Sequence, residues 1–232
     1  MKKAIVTTSW DDGHRLDAKL AELLDRYQLA ATFYIAPENR EIAPNLRLSK
    51  EQVRKLAQRF EIGAHTMTHP RLSHISDDAA RQEIVESKKT LEDWTGQKIT
   101  SFCYPGGDYT MIHETMVRDA GFSLARTVQR FATEVGKDPF ALPTTVHAYR
   151  HWSDAAPIFK EAGVGRFFDH YANWDKLAIA MFDNVSANGG VFHLWGHSSE
   201  IEKNGDWNRL ERVFKHMSKH PGVQYVTNKE LV

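Results

Sequence analysis

The sequence predicts an α/β fold, a parallel sheet of about seven strand-and-helix units closed or nearly closed into a barrel. Three observations predict it. Short apolar and β-branched runs alternate along the chain with longer stretches whose apolar residues recur at helical spacing. Clusters of Asp, His and Gly follow several of these runs, where a barrel gathers its strand-end loops on one face. The chain of 232 residues can bury a sizeable core as one domain, and residues 1–232 show no low-complexity linker or repeat of a motif.

The first strand is carried by Ile5 to Thr8 in IVTTSWDDGH, and Gly13 lets the chain leave it after Asp11 and Asp12. These neighbouring carboxylates leave the backbone in different directions, so one can hold a cation while the other faces a substrate. The plainer reading is a capping pair, because a helical pattern follows. Leu20, Leu23, Leu24 and Tyr27 form the apolar face of that helix, and residues 31–36 (ATFYIA) read as the second strand. Ser49 and Gln52 make a capping-box pattern for a helix over residues 49–60, which leads into a third strand over 61–64.

His65 and His69 follow that strand. Four apart, they are expected on one side of a helical turn, and with one carboxylate they make a two-His, one-carboxylate set that grips a divalent metal and leaves positions open. Among 12 histidines, one such pair is also what an ordinary surface or core provides. Residues 76–94 form a long amphipathic helix ended by Gly96, and 99–104 the next strand. A helix over 109–120, capped by Gly121, precedes a strand over 122–128. Around Pro139 and Pro143 the pattern weakens, so residues 129–151 are expected to be a long loop with a short strand near 145–148. Residues 173–187 are helical in pattern, 191–195 alternate as a strand with His197 just beyond, 206–216 form a helix and 223–226 a last short strand.

Composition excludes several partners. Lys plus Arg and Asp plus Glu balance at 30 each, so no net charge draws the chain to nucleic acid or to an anionic membrane surface. No apolar run approaches the ~20 residues of a membrane span. The single cysteine, Cys103, excludes an internal disulfide and, set between Phe102 and Tyr104, reads as buried packing. The apolar run after the N-terminal lysines is too short for a secretory core, so a cytoplasmic location is expected.

TSWDDGH, HTMTH, FCYPGG and HLWGHSSE, in that order, resemble the motif series of the polysaccharide deacetylases, the NodB-homology or carbohydrate esterase family 4 group. The likeness runs from the first strand to about Glu200. It implies a distorted β/α barrel with fewer than eight regular strands and a divalent metal. Zinc is the expected ion, and cobalt, nickel, manganese and iron also suit two imidazoles and a carboxylate. By the same resemblance Asp11 is the base, Asp12, His65 and His69 hold the metal, and His197 is the acid that protonates the leaving amine.

Leu194 and Trp195 are candidates for an apolar wall around an acetyl methyl, and the Tyr104, Pro105 and Gly106 turn for bringing backbone N–H groups near an oxyanion. His193 reads as a histidine satisfied inside the barrel. The chain departs from the family at the third motif, where an arginine is common and Phe102 and Tyr104 flank Cys103 instead; Arg126 and Arg150 are the candidates to supply that charge from elsewhere. The fourth motif has no assigned place, since Trp174 and Asp175 sit in a helical stretch. Asp138, Asp154 and Arg150 are the candidates to support the catalytic histidine.

The implied reaction is removal of an N-acetyl or O-acetyl group from a saccharide, with a small or oligosaccharide substrate as partner. Two other readings stay open: a hydrolase of small non-sugar amides of ureide or imide type, and a non-catalytic saccharide-binding barrel.

Overall fold

The computed structural model describes residues 3–232, the side chains of 161–164 excepted. Seven parallel strands curl into a half-barrel, a distorted β/α barrel. In chain order they are β1 (Ala4–Asp12), β2 (Thr32–Ile35), β3 (Glu61–Ala64), β4 (Ser101–Cys103), β5 (Leu124–Arg126), β6 (Val146–His147) and β7 (Gly190–Gly196). Their order in the sheet is β5-β4-β3-β2-β1-β7-β6, and the short β8 (Val223–Tyr225) pairs with β1 off that path.

β1 organises the sheet. It pairs with β7 from Ala4 to Trp10, with β8 over Ala4 to Val6, and with β2 over Ser9 to Asp12, so three neighbours share its length. Helices cover the sheet, and β1 is accordingly buried on both faces, with Trp10 at 0% and Asp11 at 2% exposure. This burial holds the two carboxylates at a fixed strand end.

The helices are α1 (Asp17–Tyr27), α2 (Lys50–Leu56), α3 (Asp77–Thr95), α4 (Met111–Asp119), α5 (Ala155–Ala172), α6 (Trp174–Asn188), α7 (Ser198–Asn204) and α8 (Trp207–Met217). Local chemistry sets several of their ends. The Gln52 backbone donates to Ser49 Oγ at 3.3 Å and the Ser49 backbone to Gln52 Oε1 at 2.8 Å, the reciprocal capping box that starts α2. α3 stops at Gly96, whose φ of 70° needs no side chain in the way. α8 buries Leu210, Val213, Phe214 and Met217 on one side, and Phe214 meets Trp10 edge-on at 6.0 Å.

The loop after β3 and two of the helices differ from the sequence expectation. His65 to His69 is a loop, not a helical turn: Thr66 and His69 hold φ of 59° and 66°, a left-handed conformation that no helix contains. Residues 129–145 are the expected loop, yet their backbone is well paired, with Thr127 N–H donating to Leu142 at 2.9 Å and Ala132 N–H to Thr144 at 3.1 Å. Pro139 and Pro143 lack the N–H a regular ladder requires, so only β6 emerges as a strand there. α5 and α7 were not legible at all. α5 leaves Phe159 and Phe168 exposed and so shows no clean apolar stripe.

Candidate active site

At the carboxyl end of β1, Asp11 and Asp12 point into different surroundings. Both oxygens of Asp11 accept from Nη2 of Arg126, which is wholly buried at the end of β5. Burial pushes the Asp11 carboxyl up, but the Arg126 guanidinium, with His65 and His197 behind it, outweighs that and holds it below the ordinary value. Asp12 has no such partner. Its Oδ1 is buried and meets no hydrogen-bond donor among the described residues, and burial together with Asp11 and Glu41 raises its pKa.

What Asp12 does meet is a pair of imidazoles. Oδ1 lies 3.3 Å from His69 Nε2 and 3.7 Å from His65 Nε2, and the two Nε2 atoms are 3.2 Å apart. His65 donates its Nδ1 proton to the Cys103 carbonyl on β4 at 2.7 Å, which fixes its tautomer and leaves Nε2 as a lone pair. Burial, with His69 beside it, drives the His65 pKa down to about 3, so the ring is neutral at ordinary pH. His69 Nδ1 lies 3.3 Å from the Glu41 carboxylate, and its Nε2 is turned inward too.

Two imidazole nitrogens and a carboxylate oxygen thus converge, a two-His, one-carboxylate set that suits a divalent cation. A tetrahedral zinc at ~2.0–2.1 Å from each donor separates neighbouring donors by about 3.3 Å. The observed separations fit it. A second grouping, Asp11, His65 and Cys103, is also close-packed. Asp11 is spent on Arg126, and burial pushes the Cys103 thiol well above its usual value, so that grouping is no ligand set.

The loop that carries the histidines is held from outside. Glu83 of α3 accepts from the Met67 and Thr68 backbone at 2.8 and 2.7 Å and from the Thr68 hydroxyl at 2.6 Å, and His69 N–H donates to Thr66 Oγ1 at 3.1 Å. Asp12, at φ 83°, is a third non-glycine residue in the left-handed region. Such positions cost about 1–3 kcal/mol each and persist only where the surroundings enforce them.

His197 follows β7 and begins α7. Its side chain is 20% exposed, its Nδ1 donates to Glu200 at 2.6 Å and its Nε2 lies 3.9 Å from Asp12 Oδ2. Burial lowers its pKa, but the Glu200 hydrogen bond and the two aspartates outweigh that and raise it to about 9. Burial pushes Glu200 up, while His147 and His197 together pull it well below the usual carboxylate range. His147 Nε2 lies 3.2 Å from the Glu200 carboxylate, and its Nδ1 is 2.5 Å from His151 Nε2. Its ring stacks on Trp195 at 3.8 Å and 9°. Ser198 Oγ donates to the buried Asp17 at 2.6 Å and ties the start of α7 to α1.

These groups border one cavity of about 240 Å³, whose walls include Asp11, Asp12, His65, His69, Trp195 and His197. Gly106 reaches it as well. Other expectations fail on position. Tyr104 is buried against Phe102 and Tyr109 and donates to the Phe140 carbonyl at 3.1 Å, so its side chain belongs to the core; Pro105 is buried and does not line the cavity. Leu194 points into the core on the other side of β7 from Trp195. Arg150 sits over Trp152, away from Asp11, so Arg126 alone supplies the charge. Asp138 caps the Phe140 backbone, Asp154 pairs with Arg130, and Asp175 pairs with Arg212; none of them supports His197. His193 is buried with Nε2 2.8 Å from Ser9 Oγ, inside the barrel.

Glu41, Val128, Ser199 and Glu200 line the cavity and were missed by sequence reasoning, as was His147, which stands behind Glu200 and Trp195. Glu200 carried a signal, because a residue three past His197 in a helix faces it. His147 carried none, since it reaches the site from the loop-rich part of the chain.

Comparison with known proteins places these residues in context. The family described as Polysaccharide deacetylase matches residues 1–125. A peptidoglycan-N-acetylglucosamine deacetylase of Bacillus cereus is 32% identical over 97 residues, 40% of this chain and 33% of the relative. The chain spans a third to about half the length of the curated relatives it matches. Among solved structures, a Streptococcus pyogenes deacetylase, PplD in complex with acetate, superposes with a TM-score of 0.55 at 21% identity, over 59% of this chain and 62% of the other. The Xyl-CE4 domain of a multidomain xylanase from the hindgut metagenome of Trinervitermes trinervoides does so with a TM-score of 0.61 at 14% identity, over 100% of this chain and 90% of the other. Both likenesses bear on the fold.

Proposed function

The chain belongs to the polysaccharide deacetylase family, and on that footing we propose that it is a metal-dependent hydrolase that removes N-acetyl groups from a saccharide. One observation carries the reading: Asp12 Oδ1, His65 Nε2 and His69 Nε2 converge as lone-pair donors beside a carboxylate that Arg126 keeps ionised and separate.

Amide hydrolysis needs an activated water, a stabilised oxyanion and a proton for the departing nitrogen. Asp12, His65 and His69 would hold a divalent cation, which would supply Lewis-acid polarisation of the acyl carbonyl and acidify the attacking water. Asp11, held charged by Arg126 at the cavity wall, is placed to accept the proton of the attacking water. Arg126 fixes the orientation of Asp11 and keeps it charged in a buried setting. His197 holds a proton on Nε2 toward the cavity while Glu200 keeps Nδ1 occupied, so it is placed to protonate the leaving amine. Trp195, clamped between the His147 ring and Arg126 at 4.8 Å, offers a rigid apolar wall to the acyl group.

The test is acetate release from N-acetylglucosamine oligomers by the zinc-loaded protein, with a chelator and His65→Ala as controls. Release that stops with either supports the reading. A purified protein that takes up no stoichiometric metal, or turnover indifferent to chelation, sinks it.

A further inference from the structure

The nitrogen of His197 that turns away from Asp12 meets another set of metal-binding groups. His147 at the end of β6, His197 after β7 and Glu200 on α7 each offer one ligand atom, all within 4.8 Å of one another. We propose that these three residues form a second, weaker divalent-cation site, distinct from Asp12, His65 and His69, and that filling it withdraws His197 from proton delivery. The site stands on its own geometry, and its effect on turnover rests on the deacetylase reading above.

Two imidazoles and one carboxylate are donors that zinc and its neighbours accept, and here they come from three separate elements. His147 is the member that points to a ligand. It is 4% exposed, and its buried Nε2 lies 3.2 Å from Glu200 Oε2 without a hydrogen bond of ordinary geometry to any described residue. A buried polar atom in that position costs stability unless something meets it. The other nitrogen is engaged, with Nδ1 2.5 Å from His151 Nε2, and the ring lies flat on Trp195 at 3.8 Å. Ligating imidazoles are held in this way, one nitrogen free for the metal and the other on a polar neighbour. His65 has the same arrangement with the Cys103 carbonyl. His197 and Glu200 both line the cavity of the first site, which gives an ion its path from solvent.

Two features make this the weaker site. Donors around a tetrahedral zinc stand about 3.3 Å apart. His147 Nε2 and Glu200 Oε2 match that at 3.2 Å, but His197 Nδ1 and Glu200 Oε2 are only 2.6 Å apart, so the 33% exposed Glu200 side chain has to draw back to admit an ion. The ion also displaces the Nδ1 proton that His197 donates to Glu200; that proton leaves to solvent, and the ring keeps its Nε2 proton. Without the second ion, giving up the Nε2 proton leaves a neutral imidazole. With it, the same loss leaves an imidazolate, and the departing amine goes unprotonated. Zinc at a low level therefore completes the proposed active site, and at a higher level shuts it.

The experiment is equilibrium dialysis against graded free zinc, followed by metal analysis, on the wild type, Asp12→Asn, His147→Gln and Glu200→Ala. Glu200 is partly exposed, so its variant tests the site even if the buried His147→Gln fails to fold. The wild type is expected to take up a tight ion and then a weaker one, Asp12→Asn only the weaker one, and the other two variants only the tight one. Absence of the weaker ion from the wild type or from Asp12→Asn, or its retention by either folded variant of His147 or Glu200, overturns the site. Turnover is followed on the wild type. As the weaker ion fills, acetate release from N-acetylglucosamine oligomers is expected to fall about 10²-fold, the weight of a general acid, while cleavage of an activated aryl acetate holds. An amide rate that holds, or an aryl acetate rate that falls with it, overturns the inhibitory role. If no oligomer is deacetylated at any zinc level, the deacetylase reading fails, and dialysis alone decides the second site.

Discussion

Asp11 and Asp12 are chemically the same side chain on consecutive residues, and their neighbours alone separate them. One is held charged by a buried guanidinium; the other is left facing two imidazoles. In the proposed reaction this division has a direct signature. Asp11→Asn is expected to lower acetate release by about 10²–10⁴-fold with zinc content unchanged, whereas Asp12→Asn is expected to lose the zinc. Paired activity and metal analysis of the two variants checks it. Glu200→Gln is expected to slow amide hydrolysis about 10–100-fold, the usual weight of an orienting partner. It should hardly slow an activated aryl acetate, whose leaving group needs no proton, so the ratio of the two rates is the measurement. At this scale the sequence was informative where a charged motif follows a strand. Asp11, Asp12, His65, His69 and His197 each follow a strand in the sequence, and the structure brings them to one cavity with Trp195. Leu194 was misplaced because adjacent residues on a strand face opposite sides, and the sequence alone leaves open which side meets the cavity.

The loop after β3 shows how one spacing serves two local structures. His65 and His69 are four apart, as on a helix, yet two left-handed residues and the Glu83 carboxylate bring their rings together. Glu83 never touches the proposed ion, but it satisfies two backbone donors that otherwise have no partner in this turn. Glu83→Gln is expected to weaken zinc binding about tenfold by titration calorimetry. The Met67 and Thr68 amides of the metal-free variant should exchange hydrogen faster than in the wild type; unchanged exchange with normal zinc affinity would sink this role. Helix α2 was readable to its first residue because its capping box is written in neighbouring residues. α7 was hidden because it is only about two turns long and the tie that anchors it, from Ser198 to Asp17, joins residues far apart in the chain.

For the whole molecule, the half-barrel followed from the alternation of buried strands and amphipathic helices, and its seam between β5 and β6 fell where two prolines interrupt the pattern. The fold also buries His147 and His193 as neutral rings, each pulled by burial from its usual value down to about 3. Below ~6.5 the unfolded chain binds protons that these rings refuse, so their stability is fully present above ~6.5 and is lost as pH falls toward 3. Each is expected to withdraw about 1.4 kcal/mol per pH unit. Urea unfolding of the metal-free protein at pH 7 and pH 5 measures this, and His193→Gln should flatten the slope by roughly a third, because His65, also lowered to about 3, adds its share with His147.

Asp12, Thr66 and His69 all hold a backbone twist that suits glycine, and two of them are proposed to grip the cation. Heat tolerance and turnover therefore pull against each other in this protein. Thr66→Gly should relax the chain and raise the melting temperature of the empty form, at the expense of the loop that presents the imidazoles. A selection for thermal survival alone would drift toward that variant, and a selection for acetate release would purge it.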